Sequence, residues 1–297
     1  MKMIYIPRIQ GNMKGYRTIH TNKATSRIID GSYNSIYKGR SMNFDELREY
    51  VIGDDIKDVD WKASARSRRM LVRQYTAEKK HNVMLIMDTN RRMLANINDI
   101  QEKYDAAILA AGTLAYMVSG NGDYISATFS ENGAVRHFPF STGIMNVESI
   151  LAGYDRAVTD ENVSELEQPL EFIAKNFRRR MIILIVTDAR GIQNIPERLV
   201  RQLMVLQDVI LVGVNDADAF GDGVFDMAGG SYIPEFFSKD KKLIEIERGR
   251  RLEIEAECRD KLKRLGVSFS MIDNTDDMDE QIVELLEKHK LECRAKA

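Results

Sequence analysis

Short runs of apolar residues without alternating polar positions recur from residue 83 onwards, separated by longer amphipathic stretches. The runs at 83–87, 181–186, 209–214 and 267–272 are typical of buried strands. Apolar spacing predicts helices at 105–118, 146–154, 164–177, 197–206, 241–265 and 279–289. Apolar strands that alternate with amphipathic helices predict an α/β fold, with a mainly parallel sheet covered by helices on both faces.

A hairpin is expected inside this pattern. Residues 124–129 and 135–138 have the composition of strands, and Glu131-Asn132-Gly133 between them is a turn sequence. The first 40 residues differ, because short β-like pieces at 3–6 and 27–29 lie among Gly, Asn, Ser and Lys. We therefore divide the chain into an N-terminal β-rich or irregular arm with a charged segment (1–80), the α/β domain (81–291) and a tail (292–297).

The charged segment at 44–75 interleaves acids and bases and carries the only tryptophan, Trp61. Ile56, Val59 and Trp61 are its candidate apolar anchors, and a buried Trp61 would cost about 3 to 5 kcal/mol on replacement by alanine. Residues 1–80 contain 17 Lys and Arg against 9 Asp and Glu, whereas the remainder contains 26 against 36. The interleaving favours structural ion pairs with the acidic remainder of the chain, which would dock this arm onto the sheet. Display to a partner protein and binding of nucleic acid are the alternatives.

Composition restricts the compartment and the class of protein. No apolar run approaches the roughly 20 residues that a membrane-spanning helix needs, and the N-terminus lacks a signal-peptide pattern. A cytoplasmic protein without a membrane span is expected. Cys258 and Cys293 lie in helical segments that we expect at the surface, with no zinc-binding spacing.

Acidic and amide residues follow the apolar runs directly. Asp88 follows the first run, Asp188 the second, and Asn215 and Asp216 the third. Ligands of open parallel sheets gather beyond the carboxyl ends of the strands, so these side chains are expected at one edge. Carboxylates at such an edge suit Mg²⁺ or Mn²⁺.

The charged segment also resembles the signature of the "domain of unknown function 58" family. The resemblance covers nearly the whole chain and rests on these residues: Arg48, Glu49, Tyr50, Gly53, Asp54, Asp55, Asp60, Trp61, Arg66 and Arg73. It implies a von Willebrand factor A-like (Rossmann-like) domain. Relatives are commonly encoded beside MoxR-type AAA+ ATPases, and the resemblance implies a role as partner of such an ATPase.

The same resemblance implies a metal-ion-dependent adhesion site, built from Asp-x-Ser-x-Ser, a distant Thr and a distant Asp. Carried over, its ligands are Asp88, Asn90, Ser164 and Asp188, with Arg92 at the second serine position. A guanidinium cannot ligate a cation and repels one nearby. The resemblance therefore implies a degenerate site with low Mg²⁺ occupancy.

These observations predict a non-enzymatic scaffold that binds a MoxR-type AAA+ ATPase or its client protein, with no cofactor and no nucleic acid. Its binding surface is expected at the rim, which we define as Asp88, Asn90, Arg92, Ser164 and Asp188. A Mg²⁺-dependent hydrolase that uses the strand-end aspartates is the alternative, and a nucleic-acid binder that uses the basic arm is a second. The sequence indicates neither the client nor the oligomeric state.

Overall fold

A computed structural model describes residues 3–13, 42–51, 53–77, 80–97, 101–216, 225–226, 231–232, 241–276 and 278–296. The described residues form two compact units. The first contains the N-terminal helix and the chain from His81 onwards, and the second contains the described residues between Tyr33 and Lys80. Each unit is described by itself.

The first unit is built on a six-stranded sheet in the order β10-β7-β6-β3-β4-β5. Its strands are β3 (Asn82–Met87), β4 (Tyr124–Glu131), β5 (Ala134–Ser141), β6 (Ile182–Asp188), β7 (Asp208–Val214) and β10 (Ser268–Ile272). All neighbours are parallel except β5, which runs antiparallel to β4 at one edge. This is the α/β fold with a mainly parallel sheet that the sequence predicted.

Helices connect the strands. They are α3 (Lys103–Gly120), α4 (Ile144–Ala157), α5 (Glu167–Asn176), α6 (Ala189–Asn194), α7 (Glu197–Met204), α8 (Lys241–Leu265) and α9 (Met278–Lys296). The short strands β8 (Phe225–Asp226) and β9 (Ser231–Tyr232) pair with each other. The predicted helix at 164–177 begins later than expected, because residues 164–166 belong to a loop.

Burial of the central strands explains why they appear in the sequence as continuous apolar runs. Every residue of β6 is buried, and β3 is buried from Val83 to Met87, because helices cover both faces. From β3 the chain crosses to β4 on one side and later returns to β6 on the other. The strand order therefore reverses between β3 and β6, which is where ligands of such sheets bind.

The expected hairpin is confirmed. It joins β4 to β5 through Asn132 and Gly133, which both have positive φ angles, of 52° and 75°. A two-residue loop with both φ angles positive matches the right-handed twist of the strands, and Asn-Gly tolerates it best.

The N-terminal segment differs from the prediction. Residues 3–6 are not β-like, because α1 (Tyr5–Asn12) is a helix. The buried carboxylate of Glu148 accepts hydrogen bonds from the backbone N–H groups of Ile4, Tyr5 and Ile6, which satisfies the first turn. This partner lies more than 140 residues away, so no local pattern could indicate it. The β-like piece expected at 27–29 lies outside the described residues.

The second unit contains an antiparallel pair, β1 (Met42–Glu49) and β2 (Leu71–Ala77), with α2 (Trp61–Ser67) between them. Gly53 adopts φ 112° in the turn after β1, which explains a glycine there. Tyr50 joins the end of β1 to Met70 through a backbone hydrogen bond of 2.8 Å.

The charged segment forms ion pairs within itself. Arg48 binds both carboxylate oxygens of Asp54 at 2.6 and 2.8 Å, and Arg73 binds Asp60 at 3.0 Å. Asp60 also caps α2, and Asp55 caps the 3₁₀ turn Ile56–Asp58. Of two further signature residues, Glu49 pairs with Arg69, whereas Arg66 forms no ion pair within the described residues. The observed ion pairs therefore lie within the charged segment, whereas the sequence favoured pairing with the acidic remainder of the chain.

Trp61 is not a buried anchor. Its side chain is 62% exposed at the start of α2, whereas Val59 and Val72 are buried. We expect Trp61→Ala to change the free energy of unfolding by less than about 1 kcal/mol, because little surface leaves water on folding. Val72→Ala, at 4% exposure, should cost about 2 kcal/mol in the same urea titration. A loss of 3 kcal/mol or more for Trp61→Ala, on the order of a core deletion, would contradict this placement.

Two other properties of the described chain concern its surface. No described helix is both long enough and apolar enough to cross a membrane. Cys258 was expected at the surface, but it is 1% exposed, because it lies on the side of α8 that packs into the core. Burial raises the pKa of its thiol to about 11.

Candidate functional site

Two aspartates meet at the carboxyl end of the central strands. Asp88 follows β3 and Asp188 ends β6, and the two strands are hydrogen-bonded neighbours. The backbone N–H of Asp88 donates to the carbonyl of Val186 at 2.9 Å, which continues the pairing to the strand end. Both side chains are 1% exposed. The predicted juxtaposition of Asp88 and Asp188 is therefore present in the structure.

The Asp88 carboxylate is held by hydrogen bonds on both oxygens. The hydroxyl of Thr187 donates to one oxygen at 2.6 Å, and the backbone N–H of Asn90 donates to the other at 2.9 Å. The hydroxyl of the fully buried Tyr154 donates to the Asp88 backbone carbonyl at 2.8 Å. These contacts fix the carboxylate in one orientation.

Asp188 both caps a helix and pairs with a lysine. One carboxylate oxygen accepts from the backbone N–H of Gly191 at 2.8 Å, in the first turn of α6. The other accepts from the Lys103 ammonium at 2.9 Å. Lys103 is 1% exposed and also pairs with Asp216, whose side chain is 46% exposed. A lysine buried to this degree needs such partners.

Arg92 supplies a second cation between the aspartates. Its guanidinium donates to both oxygens of Glu165, at 2.8 and 3.2 Å. It also lies 3.5 Å from an Asp88 oxygen and 3.6 Å from an Asp188 oxygen. We name Asp88, Arg92, Lys103 and Asp188 the ion cluster.

The remaining rim residues lie beside the ion cluster. The side-chain oxygen of Asn90 accepts from the backbone N–H of Arg92 at 3.1 Å, and its amide donates to the carbonyl of Ser164 at 3.2 Å. Ser164 participates through its backbone, since its N–H also donates to Asn162 at 3.0 Å. Both residues shape the loops of the rim.

The two aspartates titrate differently. Burial raises the pKa of Asp88 to about 6, and the neighbouring charge of Asp188 adds to this effect. Burial also acts to raise the pKa of Asp188, but Lys103 and Arg92 outweigh it and hold that pKa below its ordinary value. The cations therefore stabilise Asp188 more than Asp88.

Both cations keep their protons. Burial acts to lower the pKa of Lys103, but Asp188 and Asp216 raise it above the ordinary value. Burial has the same effect on Arg92, which Glu165 and the two aspartates outweigh. The ion cluster thus contains two permanent positive charges beside two carboxylates.

The residues present do not fit a divalent cation. A Mg²⁺ ion needs oxygen ligands at about 2.0 to 2.1 Å. Here Lys103 binds one oxygen of Asp188, and Arg92 lies within 3.6 Å of a carboxylate oxygen of each aspartate. The Asn90 oxygen is already an acceptor within its own loop. Among the described residues no group of three or more His, Cys, Asp or Glu side chains is arranged to hold a metal.

Sequence reasoning missed Lys103, Glu165 and Thr187. One signal for Lys103 was available, because a cation in the first turn of a helix opposes the helix dipole and so requires another reason. Thr187 and Glu165 had no comparable signal, since a threonine in a strand and a glutamate in a loop are ordinary.

Comparison with known proteins identifies the family. The model of "Protein of unknown function DUF58" matches residues 46–220, which contain all the signature residues from Arg48 to Arg73 as well as Asp88 and Asp188. The chain belongs to this family. It is also 26% identical over 220 residues to the uncharacterized protein Rv1480 of Mycobacterium tuberculosis, covering 70% of this chain and 68% of that protein. Mb1516 of Mycobacterium bovis, also uncharacterized, shows the same identity and coverage.

Solved structures with similar chain traces include BatB from Bacteroides thetaiotaomicron. It has 13% sequence identity and a TM-score of 0.47, over 73% of this DUF58 chain and 100% of BatB. An aerotolerance-related membrane protein from Bacteroides fragilis has 15% identity and a TM-score of 0.45, over 70% and 99% of the two chains.

Proposed function

We propose that this DUF58 protein is a non-enzymatic interaction scaffold whose rim binds a partner protein without a metal ion. The observation that carries the proposal is the ion cluster, in which Lys103 and Arg92 neutralise the strand-end aspartates. The von Willebrand factor A-like fold is consistent with a role in protein interaction. A fixed pair of cations supports the rim loops at any concentration of divalent ions.

The surface around the rim supports a partner that carries positive charge. The loop after α4 is tied to the rim by the Asn90 bond to Ser164, and it exposes Asp160 and Glu161. Glu165 and Asp216 add carboxylates that are 40% and 46% exposed. Val163, at 63% exposure, places one apolar side chain within this acidic loop. An acidic surface with an exposed apolar residue complements a basic partner surface.

The proposed partner is a MoxR-type AAA+ ATPase or its client protein. Support comes from the family, whose members are commonly encoded beside such ATPases. The hydrolase alternative is disfavoured, because both aspartates are already bound by cationic side chains. Nucleic-acid binding through the charged segment is disfavoured too, because Arg48 and Arg73 already pair with carboxylates.

Calorimetric titration with Mg²⁺ and Mn²⁺ tests the metal-independent rim. No binding heat is expected for the unmodified protein, because a divalent ion would have to displace Lys103 and Arg92. Arg92→Ser serves as the comparison, since it removes one of the two cations. Tight Mg²⁺ binding by the unmodified protein would contradict the proposal.

Co-purification with a MoxR-type ATPase tests the partner. We expect a complex that persists in EDTA and is lost in the double variant Glu161→Lys with Val163→Asp. Both residues are exposed, and their substitution leaves the ion cluster intact. Glu284→Lys, exposed on α9, is the matched control and should leave the complex unchanged. Failure to form any complex when both proteins are abundant would refute the ATPase partnership. It would not affect the conclusion drawn from the calorimetric titration with Mg²⁺ and Mn²⁺.

A further inference from the structure

A second surface lies at the opposite end of the sheet from the rim. Parallel strands β6 and β7 carry the rim at their carboxyl ends, and two loops precede their amino ends. One loop contains Arg178, Arg179 and Arg180, and the other contains Val205 and Leu206. Seven residues of β6 separate this end from the rim, a distance of about 23 Å. We name these five residues the basal tip.

Hydrogen bonds join the two loops into one surface. The side chain of Gln207, which is 5% exposed, donates to the backbone carbonyls of Phe177 and Arg179 at 3.0 and 3.4 Å. The backbone N–H of Asp208 donates to the carbonyl of Met181 at 3.0 Å. The arginines and the apolar pair are therefore held side by side.

The charge of the basal tip is not neutralised locally. All three arginines are exposed, and none forms an ion pair within the part of the chain that the structure describes. This contrasts with Arg198 and Arg136, which pair with glutamates. The chain from residue 81 onwards carries 26 Lys and Arg against 36 Asp and Glu, so three consecutive exposed arginines stand out within this acidic part of the chain.

The apolar part of the basal tip is also unusual in its exposure. Val205 is 78% exposed and Leu206 is 45% exposed, in consecutive positions of one short loop. Exposed aliphatic side chains next to several arginines match an anionic bilayer surface, where the aliphatic groups enter the acyl boundary and the guanidinium groups meet the headgroups.

A single-stranded nucleic acid fits this surface less well. Such ligands need free aromatic faces on which bases stack. The ring of Phe140 is already covered by the Arg179 guanidinium, which lies 3.9 Å from the ring centre. Phe177 packs against Phe172, Phe140 and His137. The basal tip therefore offers charge and aliphatic surface rather than stacking platforms.

We propose that the basal tip docks the protein on an anionic membrane surface, as a peripheral contact independent of the rim. Arg178, Arg179 and Arg180 attract the headgroups, and Val205 and Leu206 enter the interface. The contact requires no spanning helix and leaves the rim, at the other end of the strands, facing away from the bilayer.

Sedimentation with vesicles tests this contact on the full chain. Binding is expected to vesicles of phosphatidylglycerol and phosphatidylcholine, to be absent with phosphatidylcholine alone, and to be lost at high salt. Arg178→Glu with Arg180→Glu should lower the partition coefficient roughly 25-fold or more, at about fivefold for each arginine. Val205→Ser with Leu206→Ser should lower it roughly tenfold, because the aliphatic surface no longer gains from insertion.

Arg190→Glu is the matched control, since Arg190 is exposed on α6 at the rim end of the sheet and should leave vesicle binding unchanged. Circular dichroism and the urea midpoint establish that each variant is folded. Equal sedimentation with both lipid mixtures, or with the double arginine variant and the unmodified chain, would overturn the proposal. Binding of a fluorescent single-stranded oligonucleotide without vesicle binding would overturn it in favour of nucleic acid.

Discussion

Replacing Lys103 with methionine is expected to lower the free energy of unfolding by about 3 to 5 kcal/mol. Methionine retains the length of the side chain but removes the charge that pairs with Asp188 at 2.9 Å. Asp188 is 1% exposed and cannot be rehydrated without opening the strand end, whereas Asp216 is already half in solvent. Urea titration at neutral pH, compared with the unmodified protein, measures the loss.

Two further variants make this result specific. Adding Asp188→Asn to Lys103→Met should recover part of the loss, because no buried charge then lacks a partner. Lys175→Met removes a comparable ion pair with Glu171 that is largely in water, and it should change stability by about 0.5 kcal/mol or less. If Lys103→Met and Lys175→Met cost the same, the buried ion pair does not support the fold in the way proposed.

The stabilisation from Lys103 also has a pH dependence with a defined sign. The pKa of Asp188 in the folded protein lies below its ordinary value. The unfolded chain therefore takes up the Asp188 proton first as the pH falls, and the stabilisation present at neutral pH is lost on acidification. The deficit of Lys103→Met should consequently be larger at neutral pH than in acid.

The stability of Asp88→Asn relative to the unmodified protein is expected to rise with pH, whereas that of Lys103→Met is expected to fall. Burial raises the pKa of Asp88 from 3.8 to about 6, so the folded state holds this proton more tightly than the unfolded chain does. Stability that protonated Asp88 contributes at low pH is lost as the pH rises through 6. Asparagine does not titrate, so the variant should gain roughly 2.5 kcal/mol relative to the unmodified protein between pH ~4 and pH ~8.

Urea titrations of the two proteins at several pH values measure this difference, in which titrating groups remote from Asp88 cancel. Asp160→Asn is a suitable control, because it makes the same substitution at an exposed position. A difference between Asp88→Asn and the unmodified protein that is constant across the pH range would show that Asp88 is not protonated more readily in the folded state.

Together, the two variants test whether cationic side chains balance the negative charge of the rim aspartates. Lys103 and Arg92 offset the repulsion between Asp88 and Asp188, but unequally, since the pKa of Asp188 is lowered and that of Asp88 is raised. The two strand-end aspartates thus meet as predicted, with cationic side chains bound to both. This supports the proposal that the rim binds its partner independently of divalent ions.

The sequence by itself determined the sheet and the position of the rim. Strands β3, β6 and β7 are buried on both faces, so their apolar runs are continuous and can be recognised locally. The aspartates that follow two of these strands mark the strand ends, and parallel pairing brings strand ends together. The turn at Asn132 and Gly133 was equally local, because the positive φ angles demand those residue types.

Only the tertiary structure decided which charges are paired and which side chains are buried. Lys103 meets Asp188 across 85 positions, and Glu148 caps α1 across more than 140, which no pattern of neighbouring residues can indicate. The burial of Trp61 and Cys258 could not be predicted either, because it depends on which elements pack over them. Trp61 was expected to be buried and is exposed, whereas Cys258 was expected to be exposed and is buried. Apolar periodicity is a local property of the chain, whereas ion pairing and burial are properties of the assembled fold.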